Sequence, residues 1–139
     1  MMRNAILFLA ATALFAAEPG VKWETSLEAA QARARAEHKL ILMDVWTEWC
    51  GWCIKLQKDT FPTPEAQAAL AKVVPLSLKT QLAHGEPTPQ NYIEKKYNVQ
   101  GFPALIMLDA DGKEVTRQPG YLPAKPFADW VNKLAASRK

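Results

Sequence analysis

Leu40-Ile41-Leu42-Met43-Asp44-Val45-Trp46-Thr47-Glu48-Trp49-Cys50-Gly51-Trp52-Cys53-Ile54-Lys55 holds both cysteines of a 139-residue chain. Leu40 to Trp46 is a nearly continuous apolar run of strand length, the pattern of a central strand covered on both faces. A helix-compatible segment follows, starting at Cys50 and extending towards Lys58. The cysteines therefore stand at a strand-to-helix junction, close enough in sequence to join. The first sulfur lies where unpaired backbone N–H groups and the helix dipole favour a thiolate, and the second lies one turn inside. A passive staple is poorly served by so short a ring, since by chain entropy a four-residue loop contributes about 2 kcal/mol against about 3 for fifteen. A structural zinc site wants four protein ligands, and here only His38 and His84, in different segments, could join the pair. The pattern points to thiols that open and close, with no metal.

The remaining sequence alternates helical and strand signals, which implies α/β layers. Thr25-Ser26-Leu27-Glu28 resembles a capping box with Thr25 as N-cap, opening an Ala-rich helix to about His38. Phe61-Pro62 breaks or bends the helix after Cys53. Thr63-Pro64-Glu65 supplies a cap, an N1 proline and an acidic first turn for a short helix to about Lys72. Val73 to Leu78 is the second strand. The stretch 81–89 is a loop by composition, and Thr88-Pro89 predicts a helix from Gln90 to Tyr97. Ala104 to Leu108, the turn Asp109-Ala110-Asp111-Gly112 and an edge strand Lys113 to Arg117 form a hairpin. Lys125 to Ser137 is a closing helix with Phe127, Val131 and Leu134 spaced to face a core.

Residues 1–17 have the form of a signal peptide: Arg3, an uncharged stretch from Ala5 to Ala17, and small residues before Glu18. The apolar stretch is about 13 residues, short of the roughly 20 a spanning helix needs; an uncleaved anchor is the rival. Residues 18–139 suffice for one domain. Export places the cysteines in the periplasm or another oxidising compartment. The formal net charge of +3 falls to +2 without Arg3, too small for a nucleic-acid or membrane-surface protein.

Three separated motifs resemble the thioredoxin superfamily: Leu42 to Cys50 with an Asp six residues before the first Cys, Tyr97-Asn98-Val99-Gln100-Gly101-Phe102-Pro103, and Gly120 before the last helix. The resemblance covers roughly Trp23 to Leu134. It implies a thioredoxin fold, a central mixed β-sheet flanked by helices on both faces. It also implies a thiol–disulfide oxidoreductase in which Cys50 is the exposed nucleophile, Cys53 the buried resolving thiol and Asp44 the proton acceptor and donor. Pro103 would be cis, and Trp49, Gly51, Trp52, Phe102 and Pro103, with Ala104 beside them, would dock an extended segment of a protein disulfide substrate. The dithiol carries the electrons itself, so no cofactor is implied. Lys55 to Phe61 and the long stretch from Lys79 to Tyr97 are similar to a subgroup of exported thioredoxin-like proteins and the C-terminal periplasmic domain of the transmembrane thiol–disulfide interchange reductase. That likeness implies reduction of protein disulfides by a monomer recharged by a membrane-embedded thiol donor. An oxidase or isomerase with the same residues, or a non-enzymatic metal- or partner-binding module, is the alternative.

Individual residues carry expectations of their own. A carboxylate inside an apolar strand is costly unless protonated, hydrated or partnered, so burial should raise the pKa of Asp44. Glu48 opposes a thiolate at Cys50, Lys55 and Lys58 offset part of that, and the neutral indole of Trp52 favours a thiolate less than an imidazolium would. A modestly lowered Cys50 pKa and a reducing or intermediate potential follow.

Overall fold

A computed structural model of the chain describes residues 20–137, so the signal-peptide reading of residues 1–17 lies outside the described residues. The apolar run becomes strand β1, Ile41–Thr47. It sits inside a four-stranded sheet that also holds β2 (Val74–Gln81), β3 (Ala104–Leu108) and β4 (Glu114–Pro119), in the order β2-β1-β3-β4. β1 pairs parallel with β2 and antiparallel with β3, and β3 pairs antiparallel with β4.

Side chains alternate across β1, so its residues feed two cores. Ile41, Met43 and Val45 pack with Leu27, Ala30 and Ala34 of helix α1 (Leu27–Glu37). Leu42 packs on the other side with Leu56, with Leu70 of α3 (Pro64–Leu70), and with Phe127 and Val131 of α5 (Ala124–Ala136). A strand with partners along both edges and helices over both faces has no solvated side, which is why its sequence shows no polar alternation. The mixed sheet between two helical layers is the one the resemblance implied. Asp44, two residues beyond Leu42, shares that residue's face.

The helix ends correct several boundaries. Ser26, not Thr25, caps α1: its Oγ accepts from Ala29 N at 3.2 Å while its backbone stays extended. Segment 23–25 is committed elsewhere, because Glu24 bonds to Pro75 O at 2.8 Å and accepts from Ser77 N at 2.9 Å, lying along β2. Ser26→Ala is expected to cost about 1 kcal/mol and Thr25→Ala close to nothing, as read by chemical denaturation. Thr63 caps α3 as its sequence indicates, with Oγ1 accepting from Ala66 N at 3.3 Å. The helix from Gln90 starts late, as α4, Tyr92–Lys96. Thr88 spends its hydroxyl on a tight turn, accepting from Gln90 N at 3.1 Å and donating to Lys79 O at 2.6 Å.

The largest departure follows the cysteines. Helix α2 covers only Gly51–Lys55 and passes into a π-helical turn, Leu56–Thr60, closed by Phe61 N donating to Leu56 O at 3.1 Å. Core packing drives the wider turn. Leu56 is buried, Thr60 is buried and donates to Leu122 O at 2.6 Å, and the Phe61 ring meets Trp23 at 4.9 Å and Phe127 at 5.4 Å. A regular α-turn would put these side chains on different bearings.

Candidate active site

Cys50 is the N-cap of α2 and is disulfide-bonded to Cys53, with the two Cα atoms 5.3 Å apart. Cys53 N–H donates to Cys50 Sγ at 3.1 Å, the kind of first-turn donor that holds negative charge on sulfur once the bond opens. Cys53 is fully buried. Cys50 is only 6% exposed, which corrects the expectation of an exposed nucleophile. Its sulfur is turned inward onto the first turn, bonded to Cys53 Sγ and receiving Cys53 N–H. The flanking indoles provide the accessible surface instead, Trp49 at 52% and Trp52 at 59%.

Asp44 is 1% exposed, and its Oδ1 has no hydrogen-bond partner among the described residues. Burial pushes its carboxyl up to about 7 from 3.8, the direction expected from a carboxylate in an apolar strand. Strand β1 places it on the face covered by the segment that follows the dithiol. Asp44 lines one cavity together with Gln57 and Phe61 of that segment.

The Phe102–Pro103 peptide bond is cis. Trp49 meets Phe102 edge-on at 5.6 Å, and Trp52 meets Tyr121 at 5.3 Å. Trp52, Phe102, Pro103, Gly120 and Tyr121 border a shallow hollow of about 340 Å³. The structure thus brings Trp52, Phe102 and Pro103 together, with Trp49 against Phe102 and Gly51 exposed in the first turn of α2. Ala104, expected to frame the docking surface, is instead 5% exposed at the start of β3. Pro103 is also buried and contributes only an edge.

Charges around the dithiol pair differently from the expectation. Glu48 binds Lys79 at 2.9 Å, so its charge is offset from β2 rather than by Lys55. Lys55 binds Asp59 at 2.7 Å and lies 5.5 Å above the Tyr121 ring. The support for a Cys50 thiolate seen directly in the structure is the Cys53 N–H at the helix N-terminus.

Two residues that sequence reasoning missed hold the site in place. Gln81 at the end of β2 accepts from Trp49 Nε1 at 2.9 Å and donates to Glu94 Oε1 of α4 at 2.7 Å. The unusual length of 79–97 was the available signal, but nothing local revealed a contact reaching back to Trp49. Gln81→Ala is expected to loosen the indole and raise KM for a protein disulfide about two- to tenfold at little cost to kcat, the span one hydrogen bond covers.

Residues 27–135 match the thioredoxin-like domain family. The chain belongs to that family. The chain is 32% identical over 113 residues to the thiol:disulfide interchange protein DsbD of Haemophilus ducreyi, an alignment covering 79% of this chain and 19% of DsbD. The chain therefore spans about a fifth of the length of the curated relatives it matches. The oxidised C-terminal domain of Neisseria meningitidis DsbD superposes with a TM-score of 0.65 at 23% identity, covering 81% of this chain and 98% of that one. A thioredoxin from Thermus thermophilus superposes with a TM-score of 0.69 at 18% identity, covering 85% and 89%. These structural likenesses establish the fold.

Proposed function

We propose that the protein is an exported thiol–disulfide oxidoreductase that reduces disulfides in other proteins. A Cys50 thiolate attacks a partner disulfide, forming a Cys50–partner bond and releasing one partner thiolate. Asp44 then takes the Cys53 proton, Cys53 attacks Cys50 Sγ, and the second partner thiolate leaves with its electron pair. Two electrons pass to the partner and the Cys50–Cys53 disulfide is restored. The observation that carries this function is the closed Cys50–Cys53 pair at the start of α2, on the same face of the sheet as the buried Asp44, whose Oδ1 has no partner among the described residues.

The reducing direction is supported by electrostatics. Strong oxidants of this type stabilise their reduced form, chiefly as a thiolate. Here Cys50 has a single backbone N–H at 3.1 Å, while Lys55 and Lys79 are engaged with Asp59 and Glu48. The relatives' name, thiol:disulfide interchange protein, fits a domain of this chemistry. The docking face formed by Trp49, Trp52, Phe102 and Pro103 takes an extended protein segment, and a membrane-embedded thiol donor in the periplasm recharges the dithiol. No helix among the described residues is long and apolar enough to cross a membrane.

Equilibration with glutathione buffers tests the direction. A reduction potential well below that of the strong oxidants, together with reduction of insulin by the dithiol form, is the expected result. A potential near about −120 mV would show an oxidase built from the same residues.

A further inference from the structure

A cavity of about 490 Å³ reaches Asp44 from the side of the β2 margin. Its walls are Trp23, Trp46, Phe61 and Pro62, and its polar groups belong to Thr25, Gln57, Gln67 and Ser77 as well as Asp44. Thr25 and Pro62 are exposed, so the cavity opens to solvent at that rim. None of Trp49, Cys50, Trp52, Phe102 or Pro103 lines it. Asp44, itself 1% exposed, closes the inner end of this cavity, which lies apart from the docking face that a bound partner covers during the reaction. The space is large enough for several waters, and hydroxyl and amide groups line it.

We propose that this cavity is a rear proton entrance, in which Gln57 positions water that carries protons between solvent and Asp44 while a partner protein occupies the docking face. The role rests on the proposed thiol–disulfide chemistry. In the mixed disulfide Cys53 gives its proton to the Asp44 carboxylate and its sulfur bonds to Cys50. The Cys50–partner bond breaks, with its electron pair leaving on the partner's sulfur. Before that step Asp44 sheds its own proton to cavity water while the partner covers the docking face, and it releases the Cys53 proton by the same route afterwards. Asp44 is the single ionisable group of the lining. Charges on the surrounding elements, Glu24 beside β2, Lys58 and Asp59 in the π-turn, Glu65 on α3 and Lys79 on β2, are absent from it. Gln57 is the suited positioning residue, half-buried on the π-turn, whereas Gln67 is occupied in donating to Phe61 O at 2.6 Å.

The test is single-turnover resolution of a mixed disulfide between Cys50 and a cysteine peptide, measured from pH 5 to 9. Gln57→Leu removes the polar positioning group, and Thr25→Trp places an indole over the exposed rim without touching the core. Both are expected to slow resolution about tenfold at pH 7, a fraction of what a general base contributes. Both should also displace the pH profile, leave mixed-disulfide formation unchanged, and contrast with a Gln57→Asn variant that keeps most of the rate. Folded variants with wild-type rates and profiles would overturn the rear entrance while leaving the oxidoreductase intact. A wild-type protein that neither forms nor resolves the mixed disulfide overturns both.

Discussion

Asp44→Asn is expected to stabilise the protein by up to roughly 4 kcal/mol at pH 8, and by nearly nothing at pH 4, while slowing its chemistry. Burial lifts the Asp44 carboxyl from 3.8 to about 7. Between those values the folded state keeps the proton and the unfolded state has lost it, so the unfolded state is favoured increasingly as pH rises. The contribution of the protonated group is therefore complete below about pH 4, declines through neutrality, and is gone above about pH 7 to 8. At about 1.36 kcal/mol per pH unit the span is roughly 4 kcal/mol, discounted by what an asparagine amide costs in the same place. Denaturation midpoints of the two proteins at pH 4 and pH 8 measure this directly. A wild-type stability that does not fall across that interval would contradict the burial of an ionisable group. The Cys53 step of the same variant should slow on the order of a hundredfold at pH 7, because amide cannot accept the thiol proton. Rates unchanged from pH 6 to 9 would remove Asp44 from the mechanism.

Cys50→Ser should abolish turnover outright, lowering insulin reduction by a thousandfold or more, on the order of 4 kcal/mol of lost transition-state stabilisation. A hydroxyl at the N-cap still accepts from Cys53 N–H, so the fold should survive, and serine is among the favoured capping residues. Cys53→Ala gives the complementary result. Cys50 still attacks, no second thiol releases the partner, and covalent complexes accumulate that reductant dissolves. Mass spectrometry of those complexes distinguishes a catalytic pair from a structural one. If Cys53→Ala captures nothing while wild type reduces insulin, the assigned order of attack is reversed.

Much of this architecture was legible because its signals were local. The run Leu40 to Trp46 showed no polar alternation for a physical reason, two covered faces, and Thr63-Pro64 and Asp111-Gly112 are punctuation set by backbone conformation, with Gly112 at φ 83°. The junction between β1 and α2, and the raised pKa of Asp44, followed from residue types in order. What escaped depended on distant partners. Ser26 displaced Thr25 as cap because residues 23–25 are held by β2, a pairing no nearby pattern announces. The inward turn of Cys50 follows from its bond to a buried neighbour. Lys55 looked like a counter-charge for the thiolate by proximity in sequence, yet one turn of helix gives it Asp59, and Glu48 takes its partner from the neighbouring strand. Gln81 was invisible as a support for Trp49 because the two are separated by 32 positions.

The wide turn at 56–60 has an evolutionary consequence. A π-turn contains one residue more than the regular helix would use over the same rise, so the chain between the dithiol and Pro62 carries a surplus of one residue. Removing a single codon there would restore an ordinary helix and leave Phe61 on nearly its present bearing, still directed at Trp23 and Phe127. Length variation among descendants of this gene should therefore be tolerated at two places, the exposed loop 82–87 and, by one residue only, the turn at 56–60.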